Sequence, residues 1–229
     1  MGFKKLFLAL FENKHCYACG KPWHFFCWDC SAKLKTYEPY CYACKKKSDN
    51  FYIHSKCTSD IPYIKNIIVL TRYRNPTIKK LLKHAKYYKK KHMYHEIISH
   101  NKDFFHKYIT ADYSIFIPIP MHFLRKWRRW YNQSEIIAKE LSLTCSIPIK
   151  NTCLRKIKYT SQQSRLWVIQ RQKNLFGAFS FNKNMSLDKN THIYLVDDVI
   201  SSASTLSECA KLLHQNGYEN ISAVCLASD

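Results

Sequence analysis

The chain has 229 residues, enough for one ordinary domain and a small appendage. Hydrophobic residues make up 46% and aromatics 15%, which supplies a packed core and excludes a chain disordered by composition. A formal charge of +21 implies an acidic partner, nucleic acid or an anionic membrane surface, unless the surplus lysine only decorates the surface.

Met1 to Phe11 is a short apolar stretch carrying Lys4 and Lys5. It is too short to span a bilayer and lacks a small-residue cleavage site. No other segment is apolar for long enough to cross a membrane, so the expectation is a cytoplasmic protein without a membrane span. That compartment favours cysteines as thiolates on metal over disulfides.

Seven of the eleven cysteines precede residue 60. Cys16 and Cys19, Cys27 and Cys30, and Cys41 and Cys44 are pairs with two-residue gaps, and His54 and Cys57 repeat the gap with histidine first. Such a gap lets both side chains of a knuckle face one metal, so four pairs are enough for two tetrahedral Zn²⁺ sites. Sequential pairing groups Cys16, Cys19, Cys27 and Cys30, then Cys41, Cys44, His54 and Cys57; interleaved pairing stays open. A full ligand set leaves no position for substrate, so the zinc is structural and supplies much of the head's stability. Trp23, Phe25, Phe26 and Trp28 form either a small core, the reading favoured, or a stacking surface for bases. Cys145, Cys153, Cys209 and Cys225 lack metal spacing and read as packed thiols.

Beyond Pro62, Ile67 to Tyr73 reads as a strand and Thr77 to Tyr88 as a helix. Lys79, Lys80, Lys83, Lys86, Lys89, Lys90 and Lys91, with Tyr87 and Tyr88 among them, suit a phosphate backbone with stacked bases or a solvated face. Ser114 to Ile119 reads as a buried strand ended by Pro118 and Pro120. Arg125, Lys126, Arg128 and Arg129, flanked by Trp127, Trp130 and Tyr131, are the densest nucleic-acid-like patch, and could equally neutralise a pyrophosphate. An amphipathic helix follows from Ser134 to Ser142. Thr160 to Phe176 is a polar loop closed by Gly177, Ala178 and Phe179.

Ile193 to Val196 reads as a buried parallel strand. Asp197 and Asp198 follow at its carboxyl end, then the hydroxyl-rich turn of Ser201, Ser202, Ala203, Ser204 and Thr205, then a helix to Gln215 closed by Gly217. Ligands of open α/β sheets bind beyond the carboxyl ends of the strands. Amides and hydroxyls at a helix N-terminus suit a phosphate, and two carboxylates suit a vicinal diol or water around Mg²⁺. Together they describe a pocket for a ribose 5-phosphate; a strand followed by a capped helix without ligand is the plain alternative.

This segment resembles the phosphoribosyl-diphosphate (PRPP) signature of type I phosphoribosyltransferases. Ser201, Ser202 and Thr205 match in kind, and Ala203 stands where that family has glycine. Pro118-Ile-Pro120-Met-His122, then Arg125, Arg129 and Tyr131-Asn132-Gln133, resemble a stretch of the ComF (ComFC) competence proteins. Leu154-Arg155, Thr160, Gln163, Leu166, Arg171, Asn174 and Gly177-Ala178-Phe179 continue the likeness in order, and Tyr73 and Lys86-Tyr87 resemble an earlier segment. Trp130 replaces a second glycine of the family.

The resemblance implies a type I phosphoribosyltransferase-like parallel sheet with helices on both faces over 60–229, behind a double zinc-ribbon domain at 1–59. It also implies PRPP with Mg²⁺ as ligand and a mobile loop at 160–176 that covers it. In that reading Asp197 and Asp198 hold the ribose hydroxyls, residues 201–205 grip the 5-phosphate, and Arg125, Arg129 and Lys86 stabilise charge at the pyrophosphate. Three functions follow as alternatives. One is a protein of natural transformation that binds single-stranded DNA alongside the DNA-uptake machinery. The others are an active phosphoribosyltransferase with an unidentified acceptor, and a non-catalytic PRPP-responsive regulator.

Overall fold

The computed structural model describes residues 14–88, 90–159, 175, 177–184 and 187–229, with the backbone alone at 125, 128 and 129. In chain order the first elements are α1 (Trp28–Ala32), β1 (Ile67–Arg72), α2 (Pro76–Tyr87), α3 (His92–Ser99), α4 (Lys102–Tyr108) and β2 (Ser114–Pro118). They are followed by α5 (Phe123–Arg129), α6 (Gln133–Cys145), β3 (Leu154–Lys156), β4 (Phe179–Phe181), β5 (His192–Ile200), α7 (Ser204–Gln215) and β6 (Ile221–Ser228). The apolar stretch at 1–11, Lys89 and nearly all of the loop at 160–176 lie outside the described residues.

Four strands form a parallel sheet in the order β1-β6-β5-β2. Phe116 of β2 also bridges in parallel to Ile149, with hydrogen bonds of 2.9 Å from its amide to Pro148 and to its carbonyl from Lys150. Every residue of β6 and of β2 is buried. Alternate side chains of a strand point to opposite faces, so burial at every position means that both faces are covered. Helices supply that cover, and α6 packs on β2 and β5. β3 and β4 form a separate antiparallel pair.

Local chemistry sets the helix ends. Asn75 caps α2, its Oδ1 accepting from the Thr77 amide at 2.9 Å, with Pro76 in the first turn. Ile78, Leu81, Leu82 and Ala85 then bury one face at helical spacing. Asn132 caps α6 in the same way. α7 closes on Gly217, whose φ of +83° a side chain would resist. Among the described residues no helix is long and apolar enough to cross a membrane.

Strand β5 is longer than its sequence pattern predicts. The apolar run ends at Val196, yet pairing with β6 continues through Asp197↔Cys225, Val199↔Ala227 and Ile200↔Ser228. The two acids therefore sit on the strand, and the turn begins at Ser201. The head joins the sheet along β1: the Tyr37 amide donates to Leu70 at 2.8 Å and Thr71 Oγ1 to Lys35 at 2.6 Å. Buried apolar residues from Cys16 to Ala227 form one cluster. Of the four aromatics predicted to make the head's core, Phe26 is buried and Phe25 packs against the cluster. Trp23 and Trp28 are exposed instead, at 82% and 70%. Knuckles this short have no interior large enough for two indoles.

Candidate functional site

The cysteine head gathers its ligands in sequential order. Cys16, Cys19, Cys27 and Cys30 bring their sulfurs within 4.8 Å of one another, as do the ligand atoms of Cys41, Cys44, His54 and Cys57. A tetrahedral zinc–thiolate site needs sulfurs about 3.8 Å apart, and Cys19 and Cys27 stand at 3.7 Å. The turn after Cys19 needs Gly20, at φ +82°, whose amide returns to the Cys16 carbonyl. Backbone amides face the sulfurs, Cys27 to Cys16 at 3.5 Å and His54 to Cys41 at 3.4 Å. Burial works against the Cys16 thiolate, but the amides of Cys27, Cys19 and Ala18 outweigh it and bring its pKa down to about 7. His54 turns Nδ1 to Cys44, at 3.2 Å, and Nε2 to the Lys47 carbonyl, at 3.1 Å. A proton on Nε2 then leaves Nδ1 free to bind metal. Both groups could hold zinc, closing two four-ligand sites.

The second site lies at the carboxyl ends of β2 and β5. A cleft of about 130 Å³ is lined by Asp197, Asp198, Lys86, Gln133, Ser134 and Lys156, with Ile119 to His122 and Asn132 at its wall. Two tethers bring these distant segments together. Asn132 donates from Nδ2 to the Ile119 carbonyl at 2.9 Å, fixing the start of α6 against the end of β2. Tyr131, buried, donates its hydroxyl to the Ala85 carbonyl, which fixes the same corner beside Lys86.

Charge in the cleft is nearly enclosed. Lys86 Nζ lies 2.7 Å from Asp198 Oδ2. Burial would drain the Lys86 ammonium of its proton, but Asp198 outweighs burial and raises its pKa. Asp197 Oδ1 accepts from Ser134 Oγ and from the Asp198 amide, each at 2.9 Å. Burial first, then the Asp198 carboxylate, push Asp197 up to about 7, against the pull of that amide, Ser134 and Lys86. Gln133 is buried at 2% exposure and its Nε2 has no partner among the described residues. A buried donor without an acceptor is costly, and here it borders a cleft.

The predicted site residues divide between two places. Lys86, Asp197 and Asp198 meet in the cleft, whereas Ser201 to Thr205 continue from β5 into α7 without lining it. Ser202 and Ser204 join hydroxyls at 2.9 Å. Ala203 is buried with φ 55° and ψ −4°, and Trp130 has φ 69°. Both positions where the resemblance expects glycine thus adopt the left-handed backbone, at a cost of about 1–2 kcal/mol each. Arg125 and Arg129 belong to α5, just after the cleft wall, and their side chains lie outside the described residues. Sequence pattern did not mark Ser134 or Lys156, since each joins the cleft only through the chain's tertiary path.

No family model matches the chain. Among curated proteins it is similar to Competence protein F of Haemophilus influenzae, 39% identical over 111 residues, which is 48% of each chain. That similarity is in keeping with the resemblance to the ComF competence proteins noted in the sequence. The chain is also similar to proteins named DNA utilization protein YhgH. That of Escherichia coli O157:H7 is 31% identical over 110 residues, 48% of this chain and 47% of the other. That of Salmonella typhi is 29% identical over 110 residues with the same coverage. The chain spans about half the length of the curated relatives it matches.

Proposed function

We propose that the protein handles single-stranded DNA in natural transformation and carries a pocket for PRPP or a related ribose phosphate. The observation that carries this reading is the cleft, with two carboxylates, the ammonium groups of Lys86 and Lys156, and a buried amide without a partner among the described residues, on a strand that leads into a hydroxyl-rich turn. Carboxylates accept from a vicinal diol. On binding, ribose hydroxyls take the place of Lys86 at Asp198, and the freed ammonium faces the ligand's phosphates. Ser134 holds Asp197 in orientation, and Gln133 Nε2 gains an acceptor. Mg²⁺ would neutralise pyrophosphate on the open side.

The DNA half of the reading is supported by the names of the relatives and by the surface around the cleft. Tyr87, Tyr88, Phe123, Trp127, Trp130 and Tyr159 are each more than half exposed, and Phe123 and Tyr159 pack their rings against His122 of the cleft wall. Exposed rings among cations, on a chain of charge +21, suit stacked bases on a phosphate backbone. In this organisation residues 1–59 are the metal-bearing head and 60–229 the ligand domain, with proteins of DNA uptake as partners.

Fluorescence anisotropy with labelled single- and double-stranded oligonucleotides at two salt concentrations tests the DNA half. Tighter binding of the single strand, weakening steeply with salt, is expected; equal and weak binding of both would overturn it. Release of pyrophosphate from PRPP with Mg²⁺, abolished by Asp197→Asn with Asp198→Asn, would favour the transferase alternative.

A further inference from the structure

The cysteine head takes no part in the diol cleft, yet one of its side chains reaches the hydroxyl turn. Tyr42 follows Cys41 of the second metal group, is buried, and donates its hydroxyl to the Ser201 carbonyl at 2.9 Å. Lys45, from the same knuckle, holds its ammonium 3.4 Å from the centre of the Tyr42 ring. The ring is thus held by the metal-bearing segment and offers its hydroxyl to the first residue of the turn.

A peptide group is planar and trans, so its carbonyl and the next amide point in opposite directions. Fixing the Ser201 carbonyl toward Tyr42 therefore aims the Ser202 amide away from the head. The turn needs such a constraint, because Ala203 two residues on sits at φ 55°, where a side chain is disfavoured. We propose that Tyr42 is a positioning residue, through which the Cys41, Cys44, His54 and Cys57 group holds the 201–205 turn ready for an anion. The inference rests on the phosphoribosyl reading of that turn.

The test compares the full-length wild type with Tyr42→Phe, which keeps the ring and deletes the donor. Thr71→Val serves as control, since it removes another head-to-sheet hydrogen bond, Thr71 Oγ1 to Lys35 at 2.6 Å, that does not touch the turn. Hydrogen exchange at amides 202–206 and calorimetric titration with PRPP and Mg²⁺ are measured on all three, with zinc content checked. Tyr42→Phe is expected to retain zinc, exchange those amides about fivefold faster and bind PRPP about fivefold more weakly, as loss of one neutral hydrogen bond implies. Thr71→Val should leave both unchanged. Unaltered exchange at 202–206 in Tyr42→Phe, or an increase shared with the whole head and sheet, would overturn the positioning role. A wild type that binds no PRPP would overturn the phosphoribosyl reading alone, because the exchange comparison needs no ligand.

Discussion

The ligand side chains of the head come from one short stretch, Cys16 to Cys57, whereas the cleft draws Lys86, Ser134, Lys156 and Asp197 from four separate elements. Proximity in the head is written into two-residue gaps and a turn, so a metal can organise it with little help from a core. Proximity in the cleft depends on the parallel sheet, whose crossovers bring α2, α6, β3 and β5 to one end. The contrast predicts different failures. A lesion in the head should unfold a region, while a lesion in the cleft should change charge balance inside an intact fold.

Metal removal is the largest expected effect. A strong chelator should unfold residues 14–57 while the sheet strands retain protection, because zinc binding in such knuckles is worth on the order of 10 kcal/mol of folding energy. Far-ultraviolet circular dichroism with hydrogen exchange reads this, and a chelated head that stays protected would remove the metal from the account. Next in size is Lys86→Met, which strands Asp198 at 14% side-chain exposure. Breaking such a nearly buried pair costs about 3 kcal/mol, measurable by denaturant titration, whereas the plain solvated lysine would cost almost nothing.

The cleft also carries a pH signature. The Asp197 pKa is raised in the folded state, to about 7 from an ordinary 3.8. The folded protein therefore keeps the proton more tightly than the unfolded chain. The stability this contributes is complete below pH 4 and is lost as pH rises toward 7. Asp197→Asn should thus be more stable than wild type at pH 8, by roughly 2 kcal/mol, with the gain vanishing near pH 4. A gain that is constant with pH would place the burden elsewhere. Smallest is Ala203→Gly, expected to stabilise by about 1 kcal/mol through relief of the left-handed backbone. A loss of stability on thermal melting would mean that the buried methyl contributes more by packing than it costs.

How much of this was legible in sequence follows the same division. All eight candidate metal ligands follow from spacing, because a knuckle is local, whereas spacing left sequential and interleaved grouping open and the fold brings them together sequentially. The acids of β5 and the basic helix α2 were legible as motifs, and the mixed hydroxyl turn marked Ala203 as the odd residue. That Ala203 and Trp130 keep a glycine-type backbone was not legible, because the cost of a side chain there is borne by tertiary contacts. Ser134 carries no signal beyond its place in a helix cap, yet it supplies the hydroxyl that Asp197 accepts. Tyr42 resembles any knuckle aromatic until the sheet brings Ser201 beneath it. The extent of β5 was misjudged for a related reason: two carboxylates interrupt the apolar run, but partner pairing with β6 carries the strand on to Ile200.

Calorimetric titration of the full chain with PRPP and Mg²⁺, at pH 6 and at pH 8, tests the proposed ribose-phosphate role of the cleft most directly. The account predicts saturable binding that tightens at pH 8, where Asp197 is ionised and can accept the diol, and that is lost in Asp197→Asn with Asp198→Asn. Absence of binding at both pH values, or binding that the double substitution leaves intact, would contradict it.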